Sequence, residues 1–345
     1  MLENKGYEQE ILSICIPTKD RDEKLVATVS EFMKLNNFNK VRIYISDNSE
    51  HDGAEKKIME KFGNNQSIIY FKNPSPSKTY QTNFLNLLRE AKGEYIWFFG
   101  DDDLPMEGAL DKIFQYLGES PDFIIAKYVG YDKELKKVLP YWKITIDEDL
   151  RIERSNFLET LTSTYPYNGC ISFIIMRREH LLKALECDYI DLNSNYVQTF
   201  AWSVALLALP GPLFGFSIGT PLVKWREEFG DSADKKKWSK SRFLLALEHR
   251  DIFVTLAKKL QLPILLEKYD GPFQYRMLVI ALDWKFRNHL SLDDAVAAAK
   301  GQSTIKLHIK LLWLILGLSP LSLLKKFKGY LSLIYGFTTS GSHSK

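Results

Sequence analysis

A chain of 345 residues has room for one large domain or two ordinary ones, and its 45% hydrophobic content predicts a packed globular protein. The charged fraction of 26% and the net charge of +3 argue against a disordered chain and against binding to nucleic acid. Cys15, Cys170 and Cys187 form no Cys-x-x-Cys motif, so we expect free thiols in a reducing compartment and no cysteine-bound metal.

Strand patterns alternate with helix patterns over the first 120 residues. The predicted strands are 11–17, 41–46, 68–71 and 95–99, and the predicted helices are centred on 25–33, 58–62, 80–91 and 106–117. Gly93 is the predicted C-cap of the third helix. This alternation predicts a doubly wound α/β fold with a mostly parallel sheet.

The pattern is less regular in the rest of the chain. We predict strands at 123–129, 171–176 and 222–225 and a helix at 196–209. The polar segment 227–240 is predicted to be a mobile loop, either a lid over a site or a surface linker. From residue 241 onward the chain is predicted to be helical.

Three adjacent carboxylates, Asp101, Asp102 and Asp103, follow the apolar strand 95–99 and Gly100. They repel one another, so a cation or hydrogen-bond donors must neutralise them. The carboxyl end of a buried strand is where open α/β sheets bind ligands, and hard oxygen ligands suit Mg²⁺ or Mn²⁺ with a phosphorylated substrate. The strand and its glycine favour this metal–phosphate site over the alternative, a solvated acidic turn.

Four motifs in order, at 14–21, 45–49, 91–96 and 100–103, together form a specific pattern. With them the chain resembles the family 2 glycosyltransferases of GT-A fold, in particular bacterial enzymes that build surface polysaccharides. The sequence Trp-Phe-Phe-Gly-Asp-Asp-Asp at 97–103 is similar to that of the abequosyltransferase-type branch. The resemblance covers roughly residues 11–120. It implies a domain at 1–240, with a nucleotide-sugar half at 11–120 and an acceptor half at 121–226. The residue pattern that follows predicts a basic amphipathic helical region at 241–345.

The ends of the predicted strands supply the candidate donor-binding residues. Pro17 and Thr18 end the first strand, where a nucleotide base could lie. Arg21 can pair with a phosphate or a carboxylate, or form a surface salt bridge. Asp47 can accept hydrogen bonds from the base or the ribose, or form an Asx-turn. Arg226, at the end of a later strand, can meet the diphosphate or the acceptor, or form an ordinary salt bridge.

The resemblance assigns further roles. Asp101 would meet the ribose and Asp102 the metal, in a motif related to Asp-x-Asp. Many family members carry an acid where this chain has Gly100, which leaves open whether Asp102 or Asp103 is the main metal ligand. Asn48 lies in the second motif, and Asn83 lies on the helix before the metal strand; both are assigned to the donor site.

The implied reaction is transfer of a sugar from a nucleotide diphosphate to an acceptor hydroxyl with inversion, aided by Mg²⁺ or Mn²⁺. Relatives carry a Glu-Asp base at the start of a helix, but 195–198 contains no acid. Asp191 is the nearest substitute base and Asp188 the next; the alternative for Asp191 is an acid in a helix-entry loop.

Basic and apolar residues characterise the end of the chain. Residues 295–345 contain seven lysines and no acid, a composition that suits the surface of an anionic membrane and a lipid-linked acceptor. The alternative is a packed helical subdomain or a dimer contact. The polar N-terminus predicts no signal peptide, and the run 311–324 is too short to span a bilayer. We therefore expect a cytoplasmic protein, peripheral at the inner face of the plasma membrane; no oligomeric state is predicted.

Two other functions remain open at this point. A non-catalytic nucleotide-sugar-binding scaffold would explain the missing Glu-Asp, although the intact triplet argues against it. A nucleotidyltransferase would share the acidic metal site, but such enzymes carry a Gly-rich loop after the first strand, and 18–21 has no glycine. A dehydrogenase is disfavoured because no Gly-x-Gly-x-x-Gly follows a strand.

Overall fold

The computed structural model describes the residues 10–63, 65–74, 80–143, 147–157, 170–188, 190, 194, 196–226, 242–262, 296 and 300. The chain divides into two compact units, one formed by Met1–Phe229 with Lys258–Gln261 and the other by Gly230–Ala257 with Leu262–Lys345. The predicted loop 227–240 lies outside the described residues. So does the predicted basic region 295–345, apart from residues 296 and 300.

The helices and strands follow the predicted alternation in the first half of the chain. The described helices are α1 (Asp22–Met33), α2 (Gly53–Phe62), α3 (Tyr80–Glu90), α4 (Ala109–Leu117), α5 (Arg178–Leu185), α6 (Val197–Leu207) and α7 (Arg242–Lys259). The described strands are β1 (Leu12–Thr18), β2 (Val41–Asp47), β3 (Ile68–Lys72), β4 (Tyr95–Phe98), β5 (Leu104–Pro105), β6 (Phe123–Ile125), β7 (Tyr128–Tyr131), β8 (Val138–Lys143), β9 (Leu150–Glu153), β10 (Ile174–Arg177), β11 (Phe214–Ser217) and β12 (Val223–Arg226). Among these helices, none combines the length and the hydrophobicity needed to cross a bilayer.

The larger sheet has eight strands in the order β3-β2-β1-β4-β10-β6-β11-β9. The pairing is parallel between β3, β2, β1 and β4 and between β6 and β11. It is antiparallel between β10 and both of its neighbours and between β9 and β11. The prediction of a mostly parallel sheet is therefore confirmed. Thr18 is in register with Asp47, so the carboxyl ends of β1 and β2 meet at one edge.

A second sheet, in the order β5-β12-β7-β8, was not predicted. The single strand predicted at 123–129 is wrong, because the chain leaves the larger sheet after β6 and enters the second as β7. Between the two strands, the amide of Ala126 still bonds to the carbonyl of Phe173, while the carbonyl of Lys127 accepts from the amides of Leu222 and Val223. This crossing brings β12 beside β5, directly after the acidic triplet.

Gly93 is not the C-cap of α3, which ends at Glu90, so that prediction is wrong. A Cβ at Gly93 would lie 2.6 Å from the amide nitrogen of Ser13 in β1, closer than real Cβ atoms approach. The amide of Gly93 donates to the Ser13 hydroxyl at 2.8 Å. A glycine is needed here because the chain entering β4 passes against β1.

The core beneath the triplet is aromatic. Phe32 of α1 packs edge-on against Phe99 and Trp97, with ring centroids 4.7 and 5.8 Å away. All three rings are fully buried. Burial of aromatic rings of this size dominates core energetics, so α1 and β4 form a fixed base for the loop that follows Phe99.

Candidate active site

The candidate site lies where β1, β2 and β4 end. The Thr18 hydroxyl donates to Oδ2 of Asp101 at 2.8 Å, and Nη1 of Arg21 donates to Oδ1 at 2.9 Å. Asp101 is 5% exposed. Burial raises the pKa of Asp101, while the positive charge of Arg21 opposes that shift. Asp101 is therefore an inner carboxylate, held by the end of β1 and the start of α1.

Asp102 is the accessible member of the triplet. Its side chain is 17% exposed, against 6% for that of Asp101. The same Nη1 of Arg21 also contacts Oδ2 of Asp102, at 2.7 Å. Arg21 thus pairs with carboxylates, one of the predicted options, and bridges the two that would otherwise repel each other.

Asp103 is held on both sides. Oδ2 accepts from the Ser172 hydroxyl at 2.8 Å, and Oδ1 accepts from the backbone amide of Arg226 at 3.0 Å. The residue is 2% exposed. Burial, and next the charge of Asp102, raise the pKa of Asp103 to about 8.

Gly100 leaves room for the Asp103 carboxylate. A Cβ at position 100 would lie 2.7 Å from Oδ2 of Asp103 and 3.3 Å from Oδ1 of Asp102. The amide of Gly100 also donates to the Ser172 hydroxyl at 3.0 Å. An acid at position 100 would therefore displace the neighbouring carboxylates in this chain.

Thr28 and Arg226 hold the backbone of the triplet. The Thr28 hydroxyl lies within hydrogen-bond distance of the backbone oxygens of Asp101 and Asp103. Nε of Arg226 donates to the backbone oxygen of Asp102 at 2.8 Å, and its Nη1 contacts the carbonyl of Lys133. Arg226 thus binds main-chain oxygens and holds its guanidinium beside the triplet.

Lys24 is a further cation at this site. Burial lowers the pKa of its ammonium group, and the nearby charge of Asp102 opposes the shift. The charges of Arg21 and Arg226 act on Lys24 as well and lower the pKa of its ammonium group further. Lys24, Thr28 and Ser172 were missed by the sequence analysis. Of these three, only Thr28 could have been found from the sequence, because it is a polar residue on the otherwise apolar face of α1.

Asp47 forms the Asx-turn that was the alternative to ligand binding. Its Oδ1 accepts from the amide and the hydroxyl of Ser49, at 2.8 and 2.5 Å, and its Oδ2 accepts from the Tyr70 hydroxyl at 2.6 Å. Burial, together with this bond, raises the pKa of Tyr70. Asp47 is fully buried, so it fixes the loop after β2.

The asparagines bind that loop to β1. The amide of Asn48 donates to the carbonyl of Thr18 at 3.0 Å, and Nδ2 of Asn83 donates to the same oxygen at 3.0 Å. Oδ1 of Asn83 accepts from the Ser46 hydroxyl and from Asn73. The structure thus brings together Pro17, Thr18, Asp47, Asn48 and Asn83 at one edge of the sheet. Asp191, the predicted base, lies outside the described residues.

The side chains available as metal ligands decide which ion would fit. Among the residues that the structure describes, no three His, Cys, Asp or Glu side chains are grouped to hold an ion. Mg²⁺ commonly binds through one or two carboxylates, several waters and the phosphates of a substrate. Asp102 would supply one carboxylate to an ion of this kind, and a phosphorylated substrate and water would supply its remaining ligands.

Comparison with known proteins identifies the family. The model of glycosyl transferase family 2 matches residues 13–185. The abequosyltransferase RfbV of Salmonella typhimurium is 30% identical over 249 residues, which cover 68% of this chain and 71% of RfbV. The GalNAc(5)-diNAcBac-PP-undecaprenol beta-1,3-glucosyltransferase of Campylobacter jejuni is 24% identical over 147 residues, which cover 43% of this chain and 47% of that enzyme.

A solved structure has a similar fold. The crystal structure of Staphylococcus aureus TarS 1–349 in complex with UDP-GlcNAc has a TM-score of 0.54 at 13% identity, over 88% of this chain and 83% of TarS 1–349. The likeness shows the GT-A fold, as predicted. Since the family model covers half of the chain and RfbV is similar over two thirds of it, the chain belongs to glycosyl transferase family 2 and is a glycosyltransferase.

Proposed function

We propose that this enzyme moves a sugar from a nucleotide-diphosphate donor to a glycan acceptor in surface polysaccharide synthesis, with inversion at the anomeric carbon. The observation that carries the proposal is the accessible carboxylate of Asp102 at the carboxyl edge of the sheet, with Arg21 bonded to it at 2.7 Å. Divalent ions and cationic side chains are the two common partners of a diphosphate, and this edge offers a carboxylate for the ion and arginines for the phosphates.

The chain's own residues would act on the diphosphate. Asp102 would hold Mg²⁺ or Mn²⁺, which when bound offsets the negative charge that grows on the leaving nucleoside diphosphate. Arg21, Lys24 and Arg226 would bind the phosphate oxygens directly. Arg21 and Arg226 are already held by hydrogen bonds to the acidic loop, so these two need little reorganisation during reaction. The similar fold of TarS, whose crystal structure holds UDP-GlcNAc, supports a nucleotide donor.

The nucleoside would lie along the edge formed by Pro17, Thr18 and the loop after β2. Asp47 and Asn83 would support this edge from below, since their side chains are buried and bonded to it. Asn48 and Asp101 complete the proposed donor site. The hydrogen bond from Thr18 to Asp101 joins the nucleoside side of the site to the metal side.

The relatives suggest which acceptor this enzyme uses. The similar Campylobacter jejuni enzyme is named for an undecaprenol-linked glycan, which supports a lipid-linked acceptor and attachment to an anionic membrane through 295–345. Inversion requires a base for the acceptor hydroxyl, and Asp191 stays our candidate.

Donor hydrolysis tests the proposal. Purified protein with Mn²⁺ is given UDP-, GDP-, CDP- and dTDP-sugars, and release of free sugar is measured. We expect the wild type to hydrolyse sugars linked to one of the four nucleotides. In Asp102→Asn the rate of hydrolysis should fall about 10²-fold or more. Asp111→Asn is the control, because it makes the same change at an exposed carboxylate of α4. A wild type that binds a donor without turnover would support the scaffold instead.

A further inference from the structure

Asp103 is used differently from Asp102. Both of its carboxylate oxygens accept hydrogen bonds from the protein, from Ser172 at 2.8 Å and from the Arg226 amide at 3.0 Å. Only 2% of the residue is exposed. A carboxylate that is buried and bonded in this way has little surface left for an ion or for a substrate.

The two donors come from different sheets. Ser172 lies in the 3-10 turn Ile171–Phe173, which leads into β10 of the larger sheet, and Arg226 ends β12 of the second sheet. Asp103 therefore connects the triplet to both sheets. Through Ser172 it also connects to Gly100, whose amide donates to the same hydroxyl at 3.0 Å.

The bond to the Arg226 amide has a consequence at Asp102. Because Asp103 holds the main chain of Arg226, the Arg226 side chain can place its Nε 2.8 Å from the backbone oxygen of Asp102. Hydrogen bonds thus fix both the backbone oxygen of Asp102 and the side chain of Asp103. Asp102 is left as the accessible carboxylate of the three, next to a fixed guanidinium.

We propose that Asp103 is a positioning residue, not a ligand of the metal or the donor. It fixes the loop 100–103 between Ser172 and Arg226, and so sets where the Asp102 carboxylate and the Arg226 guanidinium stand. This inference rests on the proposed function, and it answers the question of which carboxylate is the metal ligand. It also explains Gly100, since a side chain there would displace the Asp103 carboxylate.

The test compares Asp103→Asn, Asp102→Asn and Ser172→Ala. Binding of Mn²⁺ is followed by the paramagnetic resonance signal of free Mn²⁺, in the presence of the nucleoside diphosphate that stabilises the wild type most. Donor hydrolysis gives kcat and KM separately. An asparagine at 103 keeps one oxygen for the Arg226 amide and can donate to the Ser172 hydroxyl, so it preserves the proposed connection.

We expect Asp103→Asn to keep its Mn²⁺ affinity within about tenfold of the wild type, and Asp102→Asn to lose about 100-fold or more. Ser172→Ala should lower kcat by about tenfold with little change in KM, although Ser172 touches neither ligand.

Two results would overturn the inference. One is an Asp103→Asn protein that loses Mn²⁺ as fully as Asp102→Asn, which would make Asp103 a ligand. The other is a Ser172→Ala protein with unchanged kcat; this variant also decides the matter if Asp103→Asn fails to fold. A wild type that binds no Mn²⁺ with any nucleotide would instead refute the proposed function and, with it, this inference.

Discussion

The hydroxyl of Thr28 lies 2.7 Å from the backbone oxygen of Asp103 and 3.0 Å from that of Asp101. Thr28 is fully buried on the face of α1 that packs on the core. A single hydroxyl proton is thus shared between two carbonyls of the acidic loop. The first helix after β1 therefore controls the backbone of a loop that follows more than 70 residues later.

We predict that Thr28→Val lowers stability by about 1–2 kcal/mol, because valine keeps the shape but leaves two buried carbonyls without this donor. Donor hydrolysis should fall as well, since the loop loses a fixed position. Thr28→Ser is the matched control, since it keeps the hydroxyl. Chemical denaturation measures the stability. Equal losses in the two variants would mean that the methyl group, not the hydroxyl, matters.

Gly100→Ala should destabilise the protein by about 1–3 kcal/mol, as overpacking does, because its Cβ would meet the Asp103 carboxylate at 2.7 Å. Gly118→Ala is the control. At that position the nearest contact is 3.5 Å and the φ of −58° suits any residue, so we expect a change within about 0.5 kcal/mol. Thermal unfolding compares the two. A neutral Gly100→Ala would show that the acidic loop rearranges freely.

Arg21→Met should destabilise the protein by about 1–3 kcal/mol, because Asp101 and Asp102 would then repel each other without the guanidinium that bridges them. The control is Lys34→Met, which removes a cation from an ion pair with the exposed Glu31 and should cost little. Denaturation in low-salt buffer measures both. Similar small losses would mean that water screens the two carboxylates adequately.

Asp149 gives a prediction on pH. Burial acts to raise the pKa of Asp149. Hydrogen bonds from Lys112, Tyr116 and the amide of Gly219 outweigh burial and hold this pKa below its ordinary value. A carboxyl whose pKa is lower in the folded state adds stability above its unfolded pKa of about 4, and that contribution is lost as the pH falls through the folded pKa.

Asp149→Asn should therefore be less stable than the wild type at pH 7, by about 1 kcal/mol or less because water partly screens the group. The difference should shrink as the pH falls below about 4. Urea unfolding of both proteins from pH 7 to pH 3 measures it. A difference that stays constant over this range would assign the effect to packing, not to charge.

The sequence predicts the larger sheet well in its first half because β1, β2 and β4 are buried on both faces and are therefore rich in apolar residues. It does not predict the second sheet. There the strands are short, and Leu104 pairs with Lys224 across the chain, a pairing that no local pattern encodes. A short strand is stabilised by its neighbours, so it leaves little signal in its own sequence.

The site was predictable in part for the same reason. Three carboxylates after a buried strand indicate where chemistry takes place, but they do not indicate which carboxylate is accessible. That is decided by Ser172 and the Arg226 amide, which are 69 and 123 residues away from Asp103 in the chain. Asp47 shows the same limit, because its Asx-turn and its bond from Tyr70 become visible only in the folded chain.

The central claim is that Asp102 and its cationic neighbours bind the diphosphate of a nucleotide together with a divalent ion. Thermal shift with UDP, GDP, CDP and dTDP, with and without Mn²⁺, tests it most directly in the wild type and in Asp102→Asn. At 100 times its Kd a ligand adds about 2.7 kcal/mol of stability, which is readily measured. We predict that one nucleotide raises the Tm of the wild type in the presence of Mn²⁺ and not that of Asp102→Asn. An equal rise in both proteins, or no rise in the wild type with any nucleotide, would contradict the account.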